Sequence, residues 1–171
     1  HIGRNLQACE YLAGLLIEAA GIDKFDNRSS LKILSPESGG MFLGNAIAKL
    51  LDGDVTTTLA VTSIEHVSKR PSLGEALRRG HIYPGDHVVV VNDVDRTGES
   101  LDRLIKLARR RGAIVDTAII FAACNHGKYV RRMVDMGVKP YRLIEFKLKM
   151  YSENCPLCQS GIELHTSMEL M

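Results

Sequence analysis

Hydroxyl, amide and carboxylate side chains are concentrated in one short stretch of this chain, which reads Asn-Asp-Val-Asp-Arg-Thr-Gly-Glu-Ser from Asn92 onward. Thr97 and Ser100 offer hydroxyl donors, and Gly98 lets the backbone approach an anion closely. The free N–H groups and the dipole of a helix beginning here would complete a phosphate site. Asn92 and Asp93 can accept hydrogen bonds from the vicinal hydroxyls of a sugar. The stretch therefore predicts a site for a phosphorylated sugar.

A turn and a helix cap would explain Asp93 and Thr97 without any ligand. The preceding residues favour the ligand site, because Val88–Val91 are four consecutive valines. Such a run is typical of a strand that a parallel sheet buries on both faces. In these sheets, ligands bind beyond the carboxyl ends of strands, where loops lead into helices. The site is therefore expected where this strand ends.

Strands and helices alternate along the chain. Apolar residues at helical spacing predict helices over residues 5–20, 43–51, 100–111 and 126–136. Strands are predicted at Leu31–Leu34, Thr57–Thr62, Val88–Val91, Ile114–Ala122 and Tyr141–Phe146. Residues 63–86 have weak periodicity and predict a long loop or a hairpin. This order predicts a single α/β domain over residues 1–171, with a mostly parallel sheet of about five strands flanked by helices.

Composition argues against several classes of protein. The chain has 171 residues, and 22 Lys and Arg residues balance 20 Asp and Glu residues, so neither nucleic acid nor a membrane is an expected partner. No apolar run approaches the ~20 residues that span a bilayer. The opening residues, HIGRNLQAC, do not resemble a signal peptide. Four scattered cysteines are too few for a disulfide scaffold, so we expect a reducing, cytoplasmic location.

The segment Val88–Leu101, VVVVNDVDRTGESL, resembles the phosphoribosyl diphosphate signature of type I phosphoribosyltransferases. The shared pattern is four apolar residues, two acids, two variable residues and a Thr-Gly turn. The resemblance implies the type I phosphoribosyltransferase fold, in which Asn92 and Asp93 bind the ribose hydroxyls. It also implies that six residues wrap the 5′-phosphate: Asp95, Arg96, Thr97, Gly98, Glu99 and Ser100. The chain has neither the GxxxxGK[ST] of ATPases nor a GxGxxG after a strand, which disfavours other nucleotide-binding folds.

Two further segments carry the same resemblance. Ile33–Gly44, ILSPESGGMFLG, resembles the pyrophosphate loop of the family, above all its orotate phosphoribosyltransferase form. This implies that Ser38, Gly39 and Gly40 present backbone N–H groups to diphosphate. Asn154–Ile162, NCPLCQSGI, resembles the ending of some orotate phosphoribosyltransferase-like proteins.

Three residues depart from the family signature. Asn92 replaces the first acid, which removes one negative charge from the region of the ribose and Mg²⁺. Arg96 replaces a small polar residue or an acid, so its guanidinium either attracts phosphate or crowds the loop. Glu99 replaces a small residue and brings an anion to the phosphate site, although an acid also suits the start of a helix.

The mobile loop of the family corresponds to HVSKRPSLG over residues 66–74. Lys69 and Arg70 can neutralise pyrophosphate there. The second lysine and the His-Gly pair of orotate enzymes are absent. Solvated loop charges explain Lys69 and Arg70 equally well, so both interpretations stand.

The resemblance implies Mg²⁺-dependent transfer of a 5-phosphoribosyl group from phosphoribosyl diphosphate to a nitrogenous base, with orotate favoured and pyrophosphate released. Asp93, Lys69 and Arg70 are the candidate catalytic residues, and Asp93 also holds Mg²⁺ indirectly. The expected assembly is a homodimer. The alternative is a non-catalytic regulator or sensor with the same fold, which Asn92, Glu99 and the atypical mobile loop favour.

The two ends of the chain carry further features. Residues 1–30 are predicted to hold the N-terminal helix and a remnant of a base-binding hood. In the C-terminal tail, residues 151–171, Cys155 and Cys158 have the spacing of metal ligands, but a zinc site needs four. The other candidate ligands are Cys9, Cys124 and His165. A turn with free thiols is the favoured interpretation of the pair.

Overall fold

The computed structural model describes residues 6–24, 31–36, 40–51, 56–60, 77–79, 81–124, 126–147, 151 and 154–161. The helices are α1 (Leu6–Ala20), α2 (Met41–Leu50), α3 (Glu99–Arg110), α4 (His126–Asp135) and the one-turn α5 (Pro156–Gln159), with a 3-10 helix at Ile22–Lys24. The strands are β1 (Leu31–Pro36), β2 (Thr56–Ala60), β3 (Leu77–Arg79), β4 (His87–Asp95), β5 (Ile114–Cys124) and β6 (Lys139–Phe146).

The strands form one sheet in the order β3-β2-β1-β4-β5-β6. Every pairing is parallel except that of β3 with β2. The predicted α/β fold with a mostly parallel sheet is therefore confirmed, and all five predicted strands are present. The sixth strand, Leu77–Arg79, lies in the segment predicted as a loop or hairpin, and its antiparallel pairing is that of a hairpin. Its sequence, Leu-Arg-Arg, is too short and polar to predict a strand.

The four valines of β4 are buried on both faces of the sheet, as predicted. Val88 and Val90 pack in the cluster formed with side chains of α3 and α4. Val89 and Val91 pack on the opposite face, with side chains of α1 and α2. None of the four is more than 1% exposed. Each buried valine contributes about 1.5–3 kcal/mol relative to an exposed one, so β4 is anchored firmly under the candidate site.

β4 continues four residues beyond its valines and ends at Asp95. Its parallel pairing with β5 also continues, since Asn92 lies beside Ile120 and Asp95 beside Ala123. The strand predicted at Val88–Val91 is therefore longer than predicted, and Asn92 and Asp93, which were expected at its tip, lie within it. Polar side chains do not end this strand, because the backbone hydrogen bonds to β5 do not depend on side-chain polarity.

The turn between β1 and α2 approaches β4 very closely. Gly40 precedes the first residue of α2 with φ −77° and ψ −12°, which any residue can adopt. A Cβ atom at Gly40 would lie 2.6 Å from the carbonyl oxygen of Val91 and 2.9 Å from the Cα atom of Asn92. Glycine is therefore required here by the space available and not by the backbone conformation.

We expect Gly40→Ala to lower the free energy of unfolding by about 1–3 kcal/mol, because the added methyl group is forced against backbone atoms. Gly14→Ala is the matched control, since a Cβ atom there meets no neighbouring atom within 4 Å. Alanine within helix α1 should instead stabilise by about 0.5–1 kcal/mol. Urea unfolding followed by circular dichroism measures both changes. If Gly40→Ala is as stable as the parent, the turn is not confined by β4.

Candidate active site

The turn that joins β4 to α3 consists of Arg96, Thr97 and Gly98. Gly98 has φ +79°, in the left-handed region that glycine adopts at least cost. A Cβ atom at Gly98 would lie 3.2 Å from Cδ of Arg132 and from Cε of Met133, both in α4. The glycine thus serves the backbone conformation of the turn and its packing against α4.

Asp95, the last residue of β4, directs its carboxylate at this turn. Its Oδ1 atom accepts a hydrogen bond from the backbone N–H of Thr97 at 3.0 Å and another from that of Gly98. Asp95 is only 5% exposed. In this structure two backbone donors that were predicted to bind phosphate are therefore bonded to a carboxylate of the protein itself.

The environment of Asp95 opposes its charge. Burial raises the pKa of this carboxyl above its ordinary value, and the nearby Glu99 acts in the same direction. The N–H groups of Gly98 and Thr97 and the charge of Arg132 act against the rise. Desolvation is the largest of these effects, so the buried carboxylate takes up a proton more readily than an exposed one.

Asn92 and Asp93 differ in how far they are available to a ligand. Asn92 is 6% exposed, its Nδ2 atom donates to the carbonyl of Val94 at 3.1 Å, and its Oδ1 atom accepts from the N–H of Asp93 at 3.0 Å. Asp93 is partly exposed, and its Oδ1 atom accepts from the N–H of Val94 at 2.7 Å. Of these two residues, Asp93 is the accessible one.

The structure brings the predicted pyrophosphate loop and the predicted ribose site together, because Gly40 lies against Asn92. Around the turn, Arg96, Glu99 and Ser100 are exposed and Thr97 is partly exposed. Four predicted site residues, and the start of the predicted hood, lie outside the described residues: Ser38, Gly39, Lys69, Arg70 and residues 1–5.

Basic side chains on α4 also border the turn, and they were not among the predicted site residues. Lys128, Arg131 and Arg132 line a cleft of about 400 Å³ together with Thr97 and Glu99. Nη2 of Arg132 lies 3.6 Å from Oε1 of Glu99. The spacing of these basic residues by three and four positions places them on one face of a helix, which the sequence shows, but the sequence does not show that this face meets the turn.

Within the described residues, the cysteines are not gathered into a zinc site, which was the less favoured interpretation of the Cys155 and Cys158 spacing. Cys9 and Cys124 are buried, whereas Cys158 is exposed and Cys155 partly exposed. No group of three or more His, Cys, Asp or Glu residues in the described part of the chain is arranged to hold a metal. His165, the remaining candidate ligand, lies outside that part. Among the described helices, none has the length and apolar character needed to cross a membrane.

A family model described as "Phosphoribosyl transferase domain" matches residues 5–151. This chain belongs to that phosphoribosyltransferase family. The match covers the sheet from β1 to β6 and helices α1 to α4. It confirms the predicted family and the predicted enzyme class, a pentosyltransferase.

Individual phosphoribosyltransferases are similar to this chain in sequence and in fold. This chain is 28% identical over 159 residues to the orotate phosphoribosyltransferase of Desulforamulus reducens. The aligned region covers 92% of this chain and 74% of that protein. Its fold matches adenine phosphoribosyltransferase from Thermoanaerobacter pseudethanolicus with a TM-score of 0.62 and 25% identity, over 85% of this chain and 84% of that one. It also matches Mycobacterium tuberculosis orotate phosphoribosyltransferase in complex with phosphoribosyl diphosphate, with a TM-score of 0.60, 15% identity and coverage of 81% and 73%.

Asp95→Asn tests the buried carboxylate of this phosphoribosyltransferase. The folded-state pKa of Asp95 is raised, so its favourable contribution to stability is complete below the unfolded-state pKa, ordinarily 3.8, and is lost as the pH rises through the folded-state pKa. The asparagine oxygen can accept the same two N–H bonds without a charge. We therefore expect Asp95→Asn to gain stability relative to the parent as the pH rises from 4 to 7.

Urea unfolding at several pH values between these limits measures the effect. Asp135→Asn is the control for the loss of one carboxylate, because Asp135 is exposed on α4. A stability difference between Asp95→Asn and the parent that does not change with pH would contradict the expectation. It would show that burial does not oppose the Asp95 charge.

Proposed function

We propose that this phosphoribosyltransferase transfers the 5-phosphoribosyl group of phosphoribosyl diphosphate to orotate and releases pyrophosphate. The observation that carries the proposal is the meeting of two loops at the carboxyl ends of β1 and β4, where Gly40 contacts the strand that bears Asp93. The similarity to the orotate phosphoribosyltransferase of Desulforamulus reducens supports orotate as the base.

The reaction needs charge stabilisation more than a nucleophile. As the bond from ribose C1 to pyrophosphate breaks and the bond to a base nitrogen forms, positive charge develops at C1. Asp93 would hold the ribose hydroxyls, and the turn at Thr97 and Gly98 would hold the 5′-phosphate. Gly40, with Lys69 and Arg70, would receive the leaving pyrophosphate. Fixing both reactants in this way lowers the entropic part of the barrier.

Magnesium is the metal that we propose for this site. Mg²⁺ is usually held by one or two carboxylates together with substrate phosphates, and not by a cage of protein ligands. Asp93 fits this pattern, because it is partly exposed at the end of β4. The described residues also contain no cluster that would form a cage. When bound, Mg²⁺ would supply positive charge that stabilises the leaving pyrophosphate.

We further propose a homodimer in the cytoplasm. All four cysteines are free thiols, which agrees with a reducing compartment. Size-exclusion chromatography with light scattering measures the mass of the assembly directly.

The orotate assignment is tested by the loss of orotate absorbance in the presence of excess phosphoribosyl diphosphate and Mg²⁺. We expect the orotate absorbance to fall, and one pyrophosphate to be released for each orotate consumed. Adenine and other bases are the control substrates, since an adenine enzyme shares the fold. Pyrophosphate release with another base alone would contradict orotate. A flat trace with every base, alongside calorimetric binding of phosphoribosyl diphosphate, would favour the non-catalytic sensor.

Asp93→Asn tests the ribose site. Hydrogen bonds to a charged group contribute about 1.5–3 kcal/mol, so we expect kcat/KM to fall roughly ten- to a hundredfold. The asparagine oxygen can still accept the N–H of Val94, so the strand should keep its conformation. Asp116→Asn is the matched control, because Asp116 is exposed near the amino end of β5, away from the site. Equal kcat/KM values for Asp93→Asn and the control would place the ribose elsewhere.

A further inference from the structure

Two thiols outside the phosphoribosyl site lie together on the surface of the C-terminal tail. Cys155 immediately precedes α5, and Cys158 lies within that single turn of helix. Residues 154–161 are exposed except Cys155, which is partly exposed. Both thiols are therefore accessible to molecules in solution.

The backbone holds these two cysteines on a single closed turn. The N–H of Gln159 donates to the carbonyl of Cys155 at 2.9 Å, and the N–H of Ser160 donates to that of Pro156 at 3.0 Å. Cys155 is the residue before the first residue of α5 and Cys158 is the third residue of α5, so their side chains are neighbours on this closed turn. Bringing the sulfur atoms to bonding distance thus needs side-chain rotation and no unfolding of a core.

We propose that Cys155 and Cys158 form a reversible intramolecular disulfide by exchange with small-molecule disulfides such as oxidised glutathione. The Cys155 thiolate attacks one sulfur of glutathione disulfide and releases one glutathione. The Cys158 thiolate then attacks the Cys155 sulfur of the mixed disulfide and releases the second glutathione. Two electrons pass from the protein to the glutathione disulfide, and the two thiol protons end on two glutathione molecules.

The surroundings assign different roles to the two cysteines. Hydrogen bonds from the backbone N–H groups of Cys158 and Leu157 lower the pKa of the Cys155 thiol, which makes it the attacking group. Interaction with the Cys155 thiol raises the pKa of the Cys158 thiol, so Cys158 is the weaker first attacker. In the mixed disulfide Cys155 no longer carries a thiol, and Cys158 can then ionise and resolve it. Cys9 and Cys124 are buried, and burial raises the pKa of both thiols, so the folded chain contains its own unreactive controls.

The test incubates the whole folded chain in glutathione buffers of increasing oxidised fraction, followed by acid quenching, alkylation and peptide mass spectrometry. We expect the peptide with Cys155 and Cys158 to lose two hydrogens and to regain them on reduction. Cys9 and Cys124 should remain reduced in every buffer, and they should therefore be found alkylated after the quench. Cys158→Ser should stop at a glutathione adduct on Cys155, and Cys155→Ser should react several-fold more slowly.

Two results would overturn the proposal. The first is a stable glutathione adduct on the parent chain without closure to the Cys155–Cys158 disulfide. The second is zinc in the purified protein, with both thiols protected until a chelator is added, since the pair would then be a metal site completed by ligands beyond the described residues. Circular dichroism of both serine variants checks that they keep the parent fold.

Discussion

Residues 31–34 of β1 lie beside residues 87–90 of β4 in parallel register, and this pairing determines where both candidate ligand loops begin. Because the strands run in the same direction, their carboxyl ends meet at one edge of the sheet. Because these ends meet, Gly40 lies directly against the backbone of Val91 and Asn92. The buried valines of β4 then hold this edge between two layers of helices. The position of the candidate site therefore depends on the order of the strands as well as on its own residues.

Much of this arrangement could be predicted from the sequence. Val88–Val91 indicated a strand buried on both faces, and the packing of alternate valines against opposite helix layers confirms it. The turn at Gly98 was likewise placed correctly between a strand and a helix. These features depend on neighbouring residues and on hydrophobic pattern, which a single sequence displays directly.

Other features could not be read from the sequence, because they depend on contacts between distant or competing groups. Asp95 was counted among residues around a phosphate, yet its carboxylate is bonded to the backbone of the turn. Asn92 was predicted to bind the ribose hydroxyls, whereas its amide is hydrogen-bonded to the backbone of Asp93 and Val94 in its own strand. Arg132 lies beside the turn because α4 packs against it, which the spacing along α4 does not reveal.

The Asp95 carboxylate gives the turn an internal partner for two N–H groups that would otherwise need water. The turn can then keep its shape before any ligand arrives. An anion that took those donors would meet a second negative charge at short range, and protonation of Asp95 would relieve that repulsion. Anion binding at this turn would therefore be linked to proton uptake, and its heat would vary with the ionisation enthalpy of the buffer.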